Sequence, residues 1–248
     1  MKIKKVVAFG CSWTYGDELV DPTLKARLDL DPDRIDHYHE NENYRSTHCY
    51  GGIVAKNYGL EFENLAFPGS SLESMRWNLM WYLRNGNNIK DVLFLVGHTD
   101  ATRQSWYNPQ HEIGMKDPQW NRHMHGTWLT QPNPDIDDNW FTLRKLWLGM
   151  SYHIDWAEYN FQQTINLFDQ AHSRYGIPVI QFSVLENRYG VNVPSLIYSG
   201  TNFRDILIQK KKDLSVELLA RGGHPNEKGH QIIADHLIEH IKYSKMLG

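Results

Sequence analysis

The sequence predicts a three-layer α/β/α fold, a parallel sheet covered by helices on both faces. Three observations carry this reading. Nearly continuous apolar runs at Lys4–Phe9, Asp91–Gly97 and Pro178–Leu185 fit strands buried on both sides, not strands with one wet face. Helical periodicity occupies the stretch before the last of these runs and the C-terminus. A chain of 248 residues, 41% of them hydrophobic, suits one domain with a full core.

The elements follow in chain order. Met1–Lys5 is basic and Val6–Phe9 apolar, too short for the hydrophobic part of a signal peptide, and it reads as the first strand. No run approaches a membrane span, so the expectation is a cytoplasmic protein with no membrane partner. Asp21–Tyr50 is polar and acidic and resists a regular reading. Glu61–Ala66 and Asp91–Gly97 are the next strands. Gln104–Asn139, rich in Trp, His, Pro and Asn, is a second irregular stretch. The domain expected is thus 1–248, with insertions at about 21–50 and 104–139. Both follow strand C-termini, where ligand-facing loops of parallel sheets sit. Leu143, Trp147, Met150, Ile154, Ala157, Phe161, Ile165 and Phe168 step by three or four residues along one helix face, and Gly176-Ile177-Pro178 stops that helix. Ile233, Leu237 and Ile241 form the apolar row of a C-terminal helix, with Pro225 expected in its first turn.

Composition excludes some functions. A net charge of −3, with Lys and Arg scattered, leaves no electrostatic footprint for nucleic acid or acidic lipid. Two cysteines, Cys11 and Cys49, make no disulfide framework and read as free thiols of a reducing compartment.

Two segments carry chemistry. Gly10-Cys11-Ser12-Trp13-Thr14-Tyr15-Gly16-Asp17 follows the first strand, which holds Ser12 at the sheet's C-terminal edge. There a hydroxyl faces a ligand and helix N-terminal N–H groups can stabilise an anion. The segment lacks the second glycine of a dinucleotide fingerprint and the Gly-Lys-Ser/Thr of a P-loop. Thr14 stands where a G-x-S-x-G elbow needs glycine. Read alone, Ser12 is as well a capping turn serine. Near the other end, Gly222-Gly223-His224-Pro225-Asn226 presents His224 from a glycine pair before a helix. Ser12 and His224 together supply a nucleophile and a base.

These segments resemble the blocks of the SGNH/GDSL hydrolases. Gly10–Gly16 resembles the nucleophile block. Tyr50-Gly51-Gly52 through Asn64-Leu65-Ala66-Phe67-Pro68-Gly69-Ser70-Ser71 resembles the second block. Gly97-His98-Thr99-Asp100 falls at the third, and His224-Pro225-Asn226 through Gly229-His230 resembles the last. The resemblance implies a flavodoxin-like sheet of about five strands in which the first and third are neighbours. It also implies Ser12 as nucleophile and His224 as base, with an oxyanion hole from the N–H groups of Ser12 and Gly69 and from Thr99. Two positions depart from the pattern. Arg221 stands where an aspartate usually precedes the histidine, and Thr99 replaces an asparagine. A backbone carbonyl, Asp17, Asp100 or an acid from another loop would then orient His224.

Other residues carry weaker signals. Arg103 is expected to pair with Asp100, the alternative being contact with a substrate anion. His37, His39, His123 and His125 give two His-x-His spacings without a set third ligand, so a solvated loop is favoured and no metal or cofactor is expected. Trp106, Trp120, Trp128 and Trp140 make either a small satellite core or a stacking surface for sugar rings. The expected activity is ester hydrolysis, removing small acyl groups such as acetyl from a carbohydrate or related polar substrate. The alternative is a binding or structural protein on the same fold.

Overall fold

The computed structural model describes residues 3–27, 39–85, 89–107, 122–125, 142, 146, 154–185, 195–198 and 200–247. The chain runs β1 (Lys5–Gly10), a single helical turn α1 (Ser12–Tyr15), α2 (Pro22–Arg27), a 3-10 turn (His39–Asn41), α3 (Glu42–His48) and α4 (Tyr50–Tyr58). It continues with β2 (Glu61–Asn64), α5 (Leu72–Arg84), β3 (Val92–His98), β4 (Gln104–Tyr107) and β5 (Arg122–His125). α6 (Ile154–Tyr175), β6 (Val179–Ser183), α7 (Phe203–Leu214) and α8 (Glu227–Ser244) complete it.

The main sheet has the order β2-β1-β3-β6 and every pairing is parallel. Strands β1 and β3 are therefore neighbours, with Gly10 opposite Gly97. Among the described residues this sheet has four strands rather than about five; past β6 only one parallel bridge, Gln181 to Leu196, extends it. β4 and β5 form a separate antiparallel pair within the second expected insertion.

Alternate residues of each strand feed two cores. Val6, Leu93, Leu95, Ile180 and Phe182 pack with Val54, Leu207, Ile233, Leu237 and Ile241 on one face. Val7, Phe9, Phe94, Val96 and Val179 pack with Leu72, Met75, Leu79, Phe161, Ile165 and Phe168 on the other. Both faces being covered is why the strands read as unbroken apolar runs and not as alternation. Fully burying each such side chain stabilises the fold by about 1.5–3 kcal/mol.

Two sequence expectations change. Much of the stretch 21–50 is helical: α2, the 3-10 turn and α3 are short and polar, so they lack a readable apolar stripe. They are tied down by buried polar groups. Asn41 accepts a hydrogen bond from Asp21 N–H (2.9 Å) and donates to the Leu19 carbonyl (2.7 Å). Buried Arg45 pairs with Glu42 and lies 4.0 Å over the Tyr15 ring. Pro225 precedes the first turn of α8. Asn226 is the N-cap, accepting from Gly229 N–H at 3.0 Å, and Pro225 forms an antiparallel bridge with Leu219. Leu143, Trp147 and Met150 lie outside the described residues.

Candidate active site

The site lies at the C-terminal edge of β1 and β3. β1 delivers Cys11 as the N-cap of α1 and Ser12 as its first residue, with the Ser12 N–H lacking a preceding-turn carbonyl. The turn is clamped from within. A Cβ at Gly10 would come 1.9 Å from Thr14 Oγ1, and one at Gly97 would come 2.6 Å from the same atom. The two glycines thus leave the space in which Tyr50 donates its buried hydroxyl to Thr14 at 2.7 Å. Gly16 ends α1 in the left-handed conformation (φ 87°), and the chain doubles back through Asp17 and Glu18.

His224 comes from a tight hairpin between α7 and α8. Ala220 N–H donates to the His224 carbonyl (2.7 Å), Gly223 N–H to the Ala220 carbonyl (3.0 Å) and Asn226 N–H to the Leu218 carbonyl (3.0 Å). The imidazole Nε2 lies 2.9 Å from Ser12 Oγ, and Nδ1 lies 2.7 Å from Glu18 Oε2. The hydroxyl, the imidazole and the carboxylate thus form one chain across 212 residues of sequence. Glu18 also accepts N–H bonds from Gly222 (2.7 Å) and His224 (3.2 Å).

The group at Nδ1 is therefore Glu18, a residue the sequence analysis did not single out. Asp17 sits on the other side of the ring, with Oδ2 3.7 Å from Nε2. Asp100 is directed to its own loop: Oδ1 accepts from Thr102 N–H (2.8 Å) and its carbonyl from Arg103 N–H (3.2 Å). Arg221 is exposed. One local signal for Glu18 was its place directly after Asp17 in the reversal that follows Gly16. A second was the glycine pair, because a Cβ on Gly222 would meet Glu18 Oε2 at 2.7 Å.

Gly69 lies in the left-handed region (φ 77°) on a loop held to β1 by Phe67 N–H donating to the Gly10 carbonyl (3.3 Å). Asn64 ties that loop to α1, donating to the Tyr15 carbonyl (3.2 Å) and accepting from Ala66 N–H (3.1 Å). No acceptor among the described residues takes the N–H of Ser12 or Gly69. Thr99, fully buried, stands two residues beyond Gly97 on β3 as Ser12 stands two beyond Gly10. Arg103 forms no ion pair with Asp100. Instead its Nη1 reaches the Ser70 carbonyl at 3.5 Å. The Asp100 carboxylate, turned into its own loop, is occupied by the Thr102 N–H.

Two imidazoles near the site are structural. His230, fully buried, accepts the Tyr50 N–H at Nδ1 (3.3 Å), and burial, aided by the charge of His224, pushes its pKa down to about 3. His98 pairs with Gln181 (2.8 Å) and burial pushes it down to about 4. Both cysteines are free and buried, and burial raises the Cys49 thiol to about 11. Among the described residues no group of three or more His, Cys, Asp or Glu could hold a metal ion. No helix among them is long and apolar enough to cross a membrane. His37, Trp120, Trp128 and Trp140, and the side chains of His39, Trp106, His123 and His125, lie outside the described residues.

No protein-family model and no curated protein matches this chain. Among solved structures, 98% of it superposes on a carbohydrate esterase whose active site is described as displaying divergent catalytic and non-catalytic binding functions. The identity is 12% and the TM-score 0.50. The fold is similar to that of this carbohydrate esterase. An acetyl xylan esterase from the rumen bacterium Butyrivibrio proteoclasticus (11% identity, 100% of this chain, TM-score 0.47) is also similar. So is a member of the lipolytic G-D-S-L family from Veillonella parvula (12%, 95% of this chain and 97% of that one, TM-score 0.38). The chain spans 66% and 65% of the two esterase chains, just under two thirds. The Ser12, Gly69 and Thr99 segments all lie at the sheet edge where strand order reverses between β1 and β3.

Proposed function

We propose that this chain is a serine-dependent ester hydrolase in which Ser12, His224 and Glu18 act together. Ser12 Oγ attacks the ester carbonyl while His224 Nε2 takes its proton, and Glu18 holds Nδ1–H and stabilises the imidazolium. The N–H groups of Ser12 and Gly69, with the Thr99 hydroxyl, receive the developing oxyanion. The alcohol leaves with the proton from His224. Water, activated by the same imidazole, then attacks the acyl-Ser12 ester and releases the acid. The reaction as written needs no cofactor.

The observation that carries this reading is the continuous contact from Ser12 through His224 to Glu18, at 2.9 and 2.7 Å. A capping turn serine and an unrelated loop histidine have no reason to meet beside a carboxylate that is itself held by two backbone N–H groups. For substrate we propose small acyl groups, acetyl above all, on a carbohydrate or similarly polar alcohol. The polar, aromatic composition of 104–139 suits sugar better than a long acyl chain. The similarity to a carbohydrate esterase points the same way.

Turnover of p-nitrophenyl acetate is expected to fall by about a thousandfold or more in Ser12→Ala. A fluorophosphonate should label the wild type at Ser12 and leave that variant unlabelled. Serine-independent turnover together with no labelling would replace this reading with a binding or structural role.

A further inference from the structure

Arg103 is 6% exposed and its Nε, fully enclosed, has no hydrogen-bond partner. Among the described residues its guanidinium makes one hydrogen bond, from Nη1 to the carbonyl of Ser70, the residue after Gly69. Ser70 is itself 1% exposed, and its Oγ is likewise enclosed with no partner. Asp100, the acid nearest in sequence, offers it no ion pair. A guanidinium stays charged at any working pH, and enclosing one without a countercharge is strongly unfavourable. Two donors, the Arg103 Nε–H and the Ser70 hydroxyl, are thus left without partners among the described residues, and Ser70 directly follows the candidate oxyanion donor Gly69.

We propose that Arg103 and Ser70 form a carboxylate subsite, so that the preferred ester carries a carboxylate close to its reacting carbonyl. The planar fork of Arg donates edge-on to a carboxylate through Nε–H and a neighbouring N–H, a geometry that a lysine cannot offer, and the Ser70 hydroxyl supplies a further donor. The countercharge arrives with the substrate. Asp17 and Glu18 stand at the imidazole and repel a second anion there, so the Arg103 side of the crevice is the electrostatically permitted place for it. An acetylated uronic-acid glycoside places the carboxylate on the alcohol; a half-ester of a dicarboxylic acid places it on the acyl group.

The inference rests on the hydrolase reading for its chemistry, and two measurements separate them. The first compares kcat/KM for two substrate pairs: methyl O-acetyl-glucuronoside against methyl O-acetyl-glucoside, and p-nitrophenyl hemisuccinate against p-nitrophenyl acetate. In at least one pair the charged-to-neutral ratio should drop roughly ten- to a hundredfold on Arg103→Gln, with Arg103→Lys falling between. The pair that responds tells which side of the ester carries the charge. Ratios equal in wild type and both variants would overturn the subsite while leaving the hydrolase intact. The second measurement is calorimetric binding of methyl glucuronoside, methyl glucoside and succinate to Ser12→Ala, which does not require turnover. A carboxylate-selective ligand there supports the subsite even if no ester is hydrolysed; no selectivity in either measurement overturns it. If Arg103→Gln fails to fold, Arg103→Lys and the Ser12→Ala binding comparison decide.

Discussion

Glu18 holds a left-handed backbone conformation (φ 64°), which disfavours a residue with a Cβ by about 1–2 kcal/mol. Its surroundings must therefore hold it there, and they do so through the carboxylate: Gly222 N–H, His224 N–H and His224 Nδ1 all point at it. As a positioning residue it should act on kcat more than on KM. Glu18→Gln is expected to lower kcat by about 10²- to 10⁴-fold, with Glu18→Asp retaining more because the charge survives at shorter reach. A kcat within threefold of wild type for Glu18→Gln would show that the imidazole is oriented by something else. Gly222→Ala should lower kcat in the same direction without touching the carboxylate's chemistry, since its Cβ would press on Glu18 Oε2. At this scale the sequence made Ser12 and His224 legible because each sits in a short motif with its own spacing. It left Glu18 hidden because the choice between Asp17 and Glu18 depends on a backbone angle after Gly16, not on residue type. Arg103 was legible as a charge, but its lack of an ion pair with Asp100 depends on where the Asp100 side chain turns.

The next scale is the strand-turn-helix unit that presents the serine. Thr14 and Tyr50 meet in the space left by Gly10 and Gly97, so α1 and α4 are joined through a hydroxyl pair inside the sheet edge. Thr14→Val keeps the shape but leaves the Tyr50 hydroxyl buried without its acceptor, and should destabilise the protein by about 1–3 kcal/mol. Adding Tyr50→Phe should restore part of that loss, because no unsatisfied polar group remains. Urea midpoints of the two single variants and the double variant test this; strictly additive losses would mean that the pair is not coupled. Elements with a strong pattern were legible: β1, β3 and β6 through their unbroken apolar runs, α6 and α8 through their helical period. The helices α2 and α3 were not, because packing by Asn41 and Arg45 stabilises them instead of an apolar stripe. Pro225 suggested a helix start, yet its bridge to Leu219 serves the His224 hairpin and leaves Asn226 to cap α8.

At the scale of the molecule, each face of the sheet encloses one neutral imidazole among the described residues. His98 packs edge-on to Phe161 at 5.3 Å on the α5–α6 side, and His230 lies 5.8 Å from Tyr50 on the α4–α8 side. Burial lowers both, to about 4 and about 3, from the ordinary value of 6.5. A histidine depressed by folding takes up its proton more readily in the unfolded chain, so stability rises with pH over this interval. The contribution is complete above pH 6.5 and drains away as pH falls toward 4 for His98 and toward 3 for His230. The steepest slope is about 1.4 kcal/mol per pH unit for each group. Both layers should therefore weaken together in mild acid, before most carboxylates are protonated. Urea midpoints followed by circular dichroism should decline from pH 7 to pH 4.5. For His98→Gln and His230→Gln, the stability deficit relative to wild type should shrink over the same range, because only the wild type still carries the imidazole that must stay neutral. A deficit that remains constant from pH 7 to pH 4.5 would mean that these imidazoles titrate freely in the folded protein, which their complete enclosure between helix and sheet does not allow.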